Sequence, residues 1–166
     1  MADDPSANFN PGQIPNGPEL NLQNVYVKDA SFEAPAGPNL GVQEWNPQFG
    51  MQMNTSAATL APDVHEVVLT ITLEAKVQDK VAYLVEVKQA GLFVARGYAE
   101  EDLRRIVGAY LPSVLFPYAR QAVSDLVMRG GFPAFLLPPV NFDALLQQSA
   151  EQQAAAAAAA APQAIN

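Results

Sequence analysis

From Val67 to Val77 every second residue is apolar: Val67, Leu69, Ile71, Leu73, Ala75 and Val77, with Glu66, Thr70, Thr72, Glu74 and Lys76 opposite them. A repeat of two is that of an extended strand, whose successive side chains point to opposite faces. The run therefore predicts a long strand with one buried face. Gln78-Asp79-Lys80 reads as a turn, after which Val81, Tyr83, Val85 and Val87 alternate against Ala82, Leu84, Glu86 and Lys88. Two alternating runs joined by a short polar link predict an antiparallel hairpin.

Two further strands are expected. Phe49, Met51 and Met53 alternate with Gln48, Gln52 and Asn54 in a shorter one, and Val25 to Glu33 forms another, with Asp29, Ser31 and Glu33 on one face. Between them, Ala34 to Pro47 holds Pro35, Gly37, Pro38, Gly41 and Pro47 and reads as a long loop carrying Trp45, the single tryptophan. From Glu100 the period becomes helical: Leu103, Ile106, Val107, Tyr110 and Leu111 make one apolar stripe, and Glu100, Glu101 and Asp102 suit the first turn of a helix. Pro112 and Pro117 predict a kink, Val123, Leu126 and Val127 resume the stripe, and Gly130-Gly131 ends it. After Pro138-Pro139, Asn141 or a neighbour caps a last short helix whose apolar side is Phe142, Leu145 and Leu146.

The expected fold class is α+β: a four-stranded antiparallel sheet, a long kinked helix and a short C-terminal helix. Residues 1–23, rich in Asn, Pro and Gly, read as a disordered arm; residues 24–150 form the domain; residues 151–166 are an alanine-rich tail that continues the last helix and frays.

Hydrophobic residues make up 49% of the chain and charged ones 16%, which is more apolar surface than one domain of 166 residues can bury. Either an oligomer interface or an exposed apolar binding surface is expected. The net charge of −8 disfavours nucleic acid, whose phosphates would be repelled. Without cysteine there is no disulfide framework. Asp3 and Asp4 stand where a signal peptide would be basic, and no apolar run reaches the about 18–20 residues that span a bilayer. A cytoplasmic protein is expected.

Catalytic signatures are missing. His65 is the single histidine, so a paired-histidine zinc site is impossible, and there is no Gly-x-Ser-x-Gly elbow and no phosphate-binding glycine fingerprint. Asp29, Glu33 and Glu86 leave three readings open: a solvated sheet face, a carboxylate pair for catalysis, or a surface that docks a basic module together with Leu84. Trp45, Phe49, Met51 and Met53 are either ordinary core or the floor of a promiscuous apolar groove, for which methionine is suited.

Three segments carry a resemblance. Tyr26-Val27-Lys28-Asp29-Ala30-Ser31-Phe32-Glu33-Ala34-Pro35, Leu115-Phe116-Pro117-Tyr118-Ala119-Arg120 and Pro139-Val140-Asn141-Phe142-Asp143-Ala144-Leu145 together resemble the SecB family of bacterial protein-export chaperones, in order, from about Tyr26 to Leu146. The resemblance implies an ATP-independent holdase without a cofactor or bound metal, which delivers unfolded precursors to the SecA translocation motor. It implies that Asp29, Glu33, Leu84 and Glu86 contact the zinc-bearing C-terminal segment of SecA, the zinc being the partner's. It also implies that Trp45, Phe49, Met51, Met53, Phe142, Leu145 and Leu146 bind the client. A dimer of dimers follows from it, with the long helix between subunits; Val85, Val87, Gln89, Leu103, Ile106, Val107 and Tyr110 are the expected interface residues. The rival readings are a SecB-like chaperone of a toxin–antitoxin pair and a small acidic α+β enzyme.

Overall fold

The computed structural model describes residues 17–37 and 45–160. Strands β1 (Glu19–Glu33), β2 (Gln48–Ala61), β3 (Val64–Val77) and β4 (Lys80–Arg96) form one sheet in the order β1-β4-β3-β2, every pair antiparallel. Because β1 pairs with β4, the chain must cross from one edge of the sheet to the other between Glu33 and Gln48. That crossing carries Trp45; residues 38–44 of the expected loop lie outside the described residues.

The period-two runs bury the expected face. Val67, Leu69, Ile71 and Leu73 of β3 and Tyr83, Val85 and Val87 of β4 are fully buried. The turn between them places Gln78 at φ 51° and Asp79 at φ 62°, the left-handed pair that a tight hairpin demands. β1 begins at Glu19 rather than Val25, so Glu19 to Gln23 of the expected arm is strand. Its partner is the far end of β4: Glu19 stands opposite Arg96 and Leu22 opposite Phe93. Likewise β2 is not short. Its second half, Thr55 to Ala61, consists mostly of small and polar residues with no alternation, and β3 holds it extended by backbone pairing from Leu69 to Val64.

The helices all pack on one face. α1 (Glu100–Arg105) passes through a π turn (Ile106–Tyr110) into α2 (Leu111–Arg129), and α3 spans Phe142–Ala160. In the π turn the Leu111 N–H donates to the Ile106 carbonyl, five residues back. Pro112 follows at once; its ring would collide with the carbonyl of Gly108 in a regular helix, and the wider turn relieves this. Pro117 is carried inside α2. Beyond the π turn the buried stripe is Leu111, Leu115, Ala119, Val123 and Val127, a strict four-residue repeat lying on β3 and β4.

One consequence corrects the expected stripe. The extra residue of the π turn rotates the helix, so Ala109 is buried while Tyr110 is 54% exposed. α3 opens with the Asn141 side chain accepting the Ala144 N–H at 3.0 Å, the expected cap, and runs on through the Gln/Ala tract to Ala160. Among the described residues no helix is long and apolar enough to cross a membrane.

Candidate functional site

The sheet face away from the helices is polar. β1–β4 pairing sets Asp29 opposite Lys88, Ser31 opposite Glu86 and Glu33 opposite Leu84, so the four residues Asp29, Glu33, Leu84 and Glu86 share this open face. Lys88 Nζ lies 3.1 Å from Asp29 Oδ2 and 3.3 Å from Glu86 Oε1. Thr72 of β3 donates to the other Glu86 oxygen at 3.0 Å. The two carboxylates, Asp29 first, hold the Lys88 ammonium above its ordinary pKa, so it stays cationic. Further along, Lys28 pairs with Glu66 at 2.6 Å and the Tyr26 hydroxyl donates to the same carboxylate. Lys28 and then Tyr26 depress the Glu66 pKa, and the bond to Glu66 raises that of Tyr26. A shallow depression of about 260 Å³ lies between Leu84, Thr72, Glu74 and the start of β2. This face has what a basic, partly apolar ligand needs: fixed carboxylates beside a notch whose lining includes Leu84 and Met51.

On the helix side of the sheet, a groove of about 600 Å³ opens between β2, the π turn and α3. Met53 lines its floor, Val107 and Gly108 one wall, and Phe142, Leu145 and Leu146 the other. Phe142 is anchored edge-on to Phe116 at 5.7 Å between ring centres. Leu146 fits against Gly108, where an added Cβ would fall 2.8 Å from its Cδ1. Four of the seven expected client residues therefore come together here. The other three lie elsewhere. Trp45 is half-buried and packs on Phe132 at 5.6 Å, beside the cluster of Phe32, Tyr83 and Phe132. Phe49 meets Phe135 at 4.4 Å between ring centres, the rings tilted by 42°, and stays half-exposed, like Met51. Sequence reasoning missed Val107 as a groove residue, Gly108, Phe135 and Leu136, which is 73% exposed. Its one signal was the aperiodic apolar run Phe132 to Val140.

The expected interface residues divide as well. Val85 and Val87 are fully buried beneath α2, and Gln89 is buried with its Nε2 donating to the Tyr26 carbonyl at 2.8 Å. These three belong to the chain's own core. The resemblance names this row as interface; within one chain its side chains are already covered. Leu103, Ile106 and Val107 are half-buried, and Ile106 and Tyr110 border a second cavity of about 690 Å³ near the Arg105–Asp143 ion pair. The large apolar side chains that α2 leaves exposed are Tyr118 and Met128, and Tyr110 of the π turn is exposed as well.

For catalysis the geometry offers little. His65 is buried on the helix side, 3.2 Å from the Thr59 hydroxyl. Among the described residues no three His, Cys, Asp or Glu side chains converge as a metal site would require.

The family model of the preprotein translocase subunit SecB matches residues 13–153. A protein-export protein SecB of Nitrosococcus oceani is 48% identical over 150 residues, covering 89% of this chain and 91% of its own length. One of Ectopseudomonas mendocina is 50% identical over 131 residues, covering 79% and 81%. Among solved structures, the SecB-like chaperone of Mycobacterium tuberculosis in complex with a peptide from the HigA1 antitoxin aligns with a TM-score of 0.62 at 16% identity, covering 73% of this chain and 90% of that one. That likeness is one of fold.

Proposed function

The chain belongs to the SecB family, and from that premise we propose that it is a cytoplasmic, ATP-independent holdase that keeps precursors unfolded and passes them to the SecA motor. It is a protein-export chaperone and not an enzyme. In this reading Met53, Phe142, Leu145 and Leu146 capture apolar client segments, with Trp45, Phe49 and Met51 extending the surface towards the crossing loop. Asp29, Glu33, Leu84 and Glu86 dock SecA. Subunits assemble as a dimer of dimers through the exposed side of the long helix, where Leu103, Ile106 and Tyr110 join Tyr118 and Met128.

One observation supports the reading: strand register sets Asp29, Glu33 and Glu86 on one face of the sheet, and the apolar groove opens on the other side. A chaperone that hands over cargo needs this separation, because client and motor must bind at once. Strand-like and apolar contacts in the groove require little sequence preference of the client. The acidic face, in a chain of charge −8, steers a basic partner.

The experiment is aggregation suppression of an unfolded precursor, with and without SecA. The expected result is suppression by the wild type and by Glu86→Lys, with SecA binding lost in Glu86→Lys through charge reversal. Loss of suppression with retained SecA binding would exchange the two sites. Service to a toxin–antitoxin pair is the weaker reading: the relative bound to an antitoxin peptide is 16% identical, against 48% and 50% for the export proteins.

A further inference from the structure

The docking face holds a cation of its own. Lys88 sits between Asp29 and Glu86, two of the three carboxylates that the docking reading assigns to this face, at 3.1 and 3.3 Å; Glu33 is the third. Both contacts follow from strand geometry: Asp29 is the cross-strand partner of Lys88, and Glu86 is two residues away on the same strand and the same face. Thr72 holds the remaining Glu86 oxygen, so this carboxylate has one fixed side and one side closed by a lysine.

We propose that Lys88 is an internal placeholder in the docking face, occupying the position of the partner's basic group until that group displaces it; the proposal rests on the docking reading above. Two ammonium groups cannot share these carboxylates at ion-pair distance without repulsion. An arriving cation therefore competes with Lys88 for these two carboxylates. The lysine can leave, because its side chain is 39% exposed and flexible. It will not leave by losing its proton, since its carboxylate partners hold the ammonium in the charged form. Displacement opposes docking only modestly, because an exposed ion pair is weak. Its effect is selective. A chain that brings positive charge alone gains little by replacing one ammonium with another. A ligand that also fills the notch beside Leu84 and Thr72 gains apolar contact that Lys88 does not supply. Lys88 is thus a positioning and specificity-determining residue of the face.

The test compares the full-length wild type with Lys88→Gln, Lys88→Arg and Glu86→Lys, using SecA and a tetralysine peptide as probes over a salt series. Circular dichroism controls for folding. In Lys88→Gln the freed carboxylates should bind SecA about two- to fivefold more tightly at low salt, and tetralysine by at least as large a factor. Its affinity should also fall more steeply as salt rises, because the face carries one cation fewer. Lys88→Arg should match the wild type, because a guanidinium bridges the same two carboxylates. Unchanged or weaker SecA binding by Lys88→Gln, with Glu86→Lys still defective, overturns the placeholder and leaves the docking reading intact. SecA binding that is equally strong in the wild type and Glu86→Lys overturns the docking reading, and the placeholder with it.

Discussion

Gly130 sits where no side chain fits: a Cβ there would lie 2.2 Å from the Phe32 ring. That ring cannot retreat, because it stacks on Tyr83 at 5.9 Å and meets Phe132 at 6.2 Å. Gly130→Ala should therefore destabilise the fold by about 1–3 kcal/mol, the cost of overpacking, seen as a lower urea midpoint at unchanged slope. Gly108 differs, since its added methyl would meet only the flexible end of Leu146. Tyr83, in the same aromatic cluster as Phe32, presents the opposite problem. Its buried hydroxyl finds no hydrogen-bond partner among the described residues, and burial pushes its pKa to about 12. The group is neutral at working pH and is left desolvated without compensation. Tyr83→Phe should leave stability unchanged or raise it by up to about 1 kcal/mol in the same urea titration. A clear loss would mean that water bonds the hydroxyl.

At the scale of elements, α3 is held by its first two turns. Phe142 packs on Phe116, Leu146 on Gly108, and Arg105 pairs with Asp143 at 3.0 Å. Leu145, by contrast, remains partly exposed in the groove. Replacing Leu145 and Leu146 together by Ala should weaken client binding by about 1–3 kcal/mol while leaving SecA binding unchanged, read by fluorescence titration of an unfolded client. Equal loss for both partners would tie the groove to the docking face. Much of this architecture is legible in the chain. The alternation of Val67 to Val77 and Val81 to Val87 needs only local sequence, and so does the Asn141 cap. What eludes sequence reading depends on distant partners. Glu19 to Asn24 is strand because β4 extends to Arg96, and Thr55 to Ala61 because β3 is there to pair with it. Tyr110 leaves the apolar stripe because Pro112 favours a π turn upstream. The acidic face was readable as alternation along each strand, but Lys88 between Asp29 and Glu86 needed the register.

For the whole molecule the question is where so apolar a chain covers its surface. One sheet face is closed by the chain's own helices, and Val85, Val87 and Gln89 are consumed there. Of the large apolar side chains left exposed, Tyr110, Tyr118 and Met128 lie along the long helix, where the resemblance puts the subunit contact. This distinction makes the assembly testable in a way that substitutions under α2 are not. Light scattering at micromolar concentration should give about four chain masses for the wild type. Tyr118→Asp with Met128→Asp should lower the mass to about two chains with an unaltered circular dichroism spectrum, because a charge tolerated in water is costly when an interface desolvates it. Val87→Lys should instead unfold the chain, because the ammonium would be placed among fully buried side chains. If Val87→Lys stays folded and only dissociates, the row beneath α2 reaches the interface after all. If the double substitution leaves the mass at about four chains, subunits meet elsewhere, and the exposed side of α2 is free.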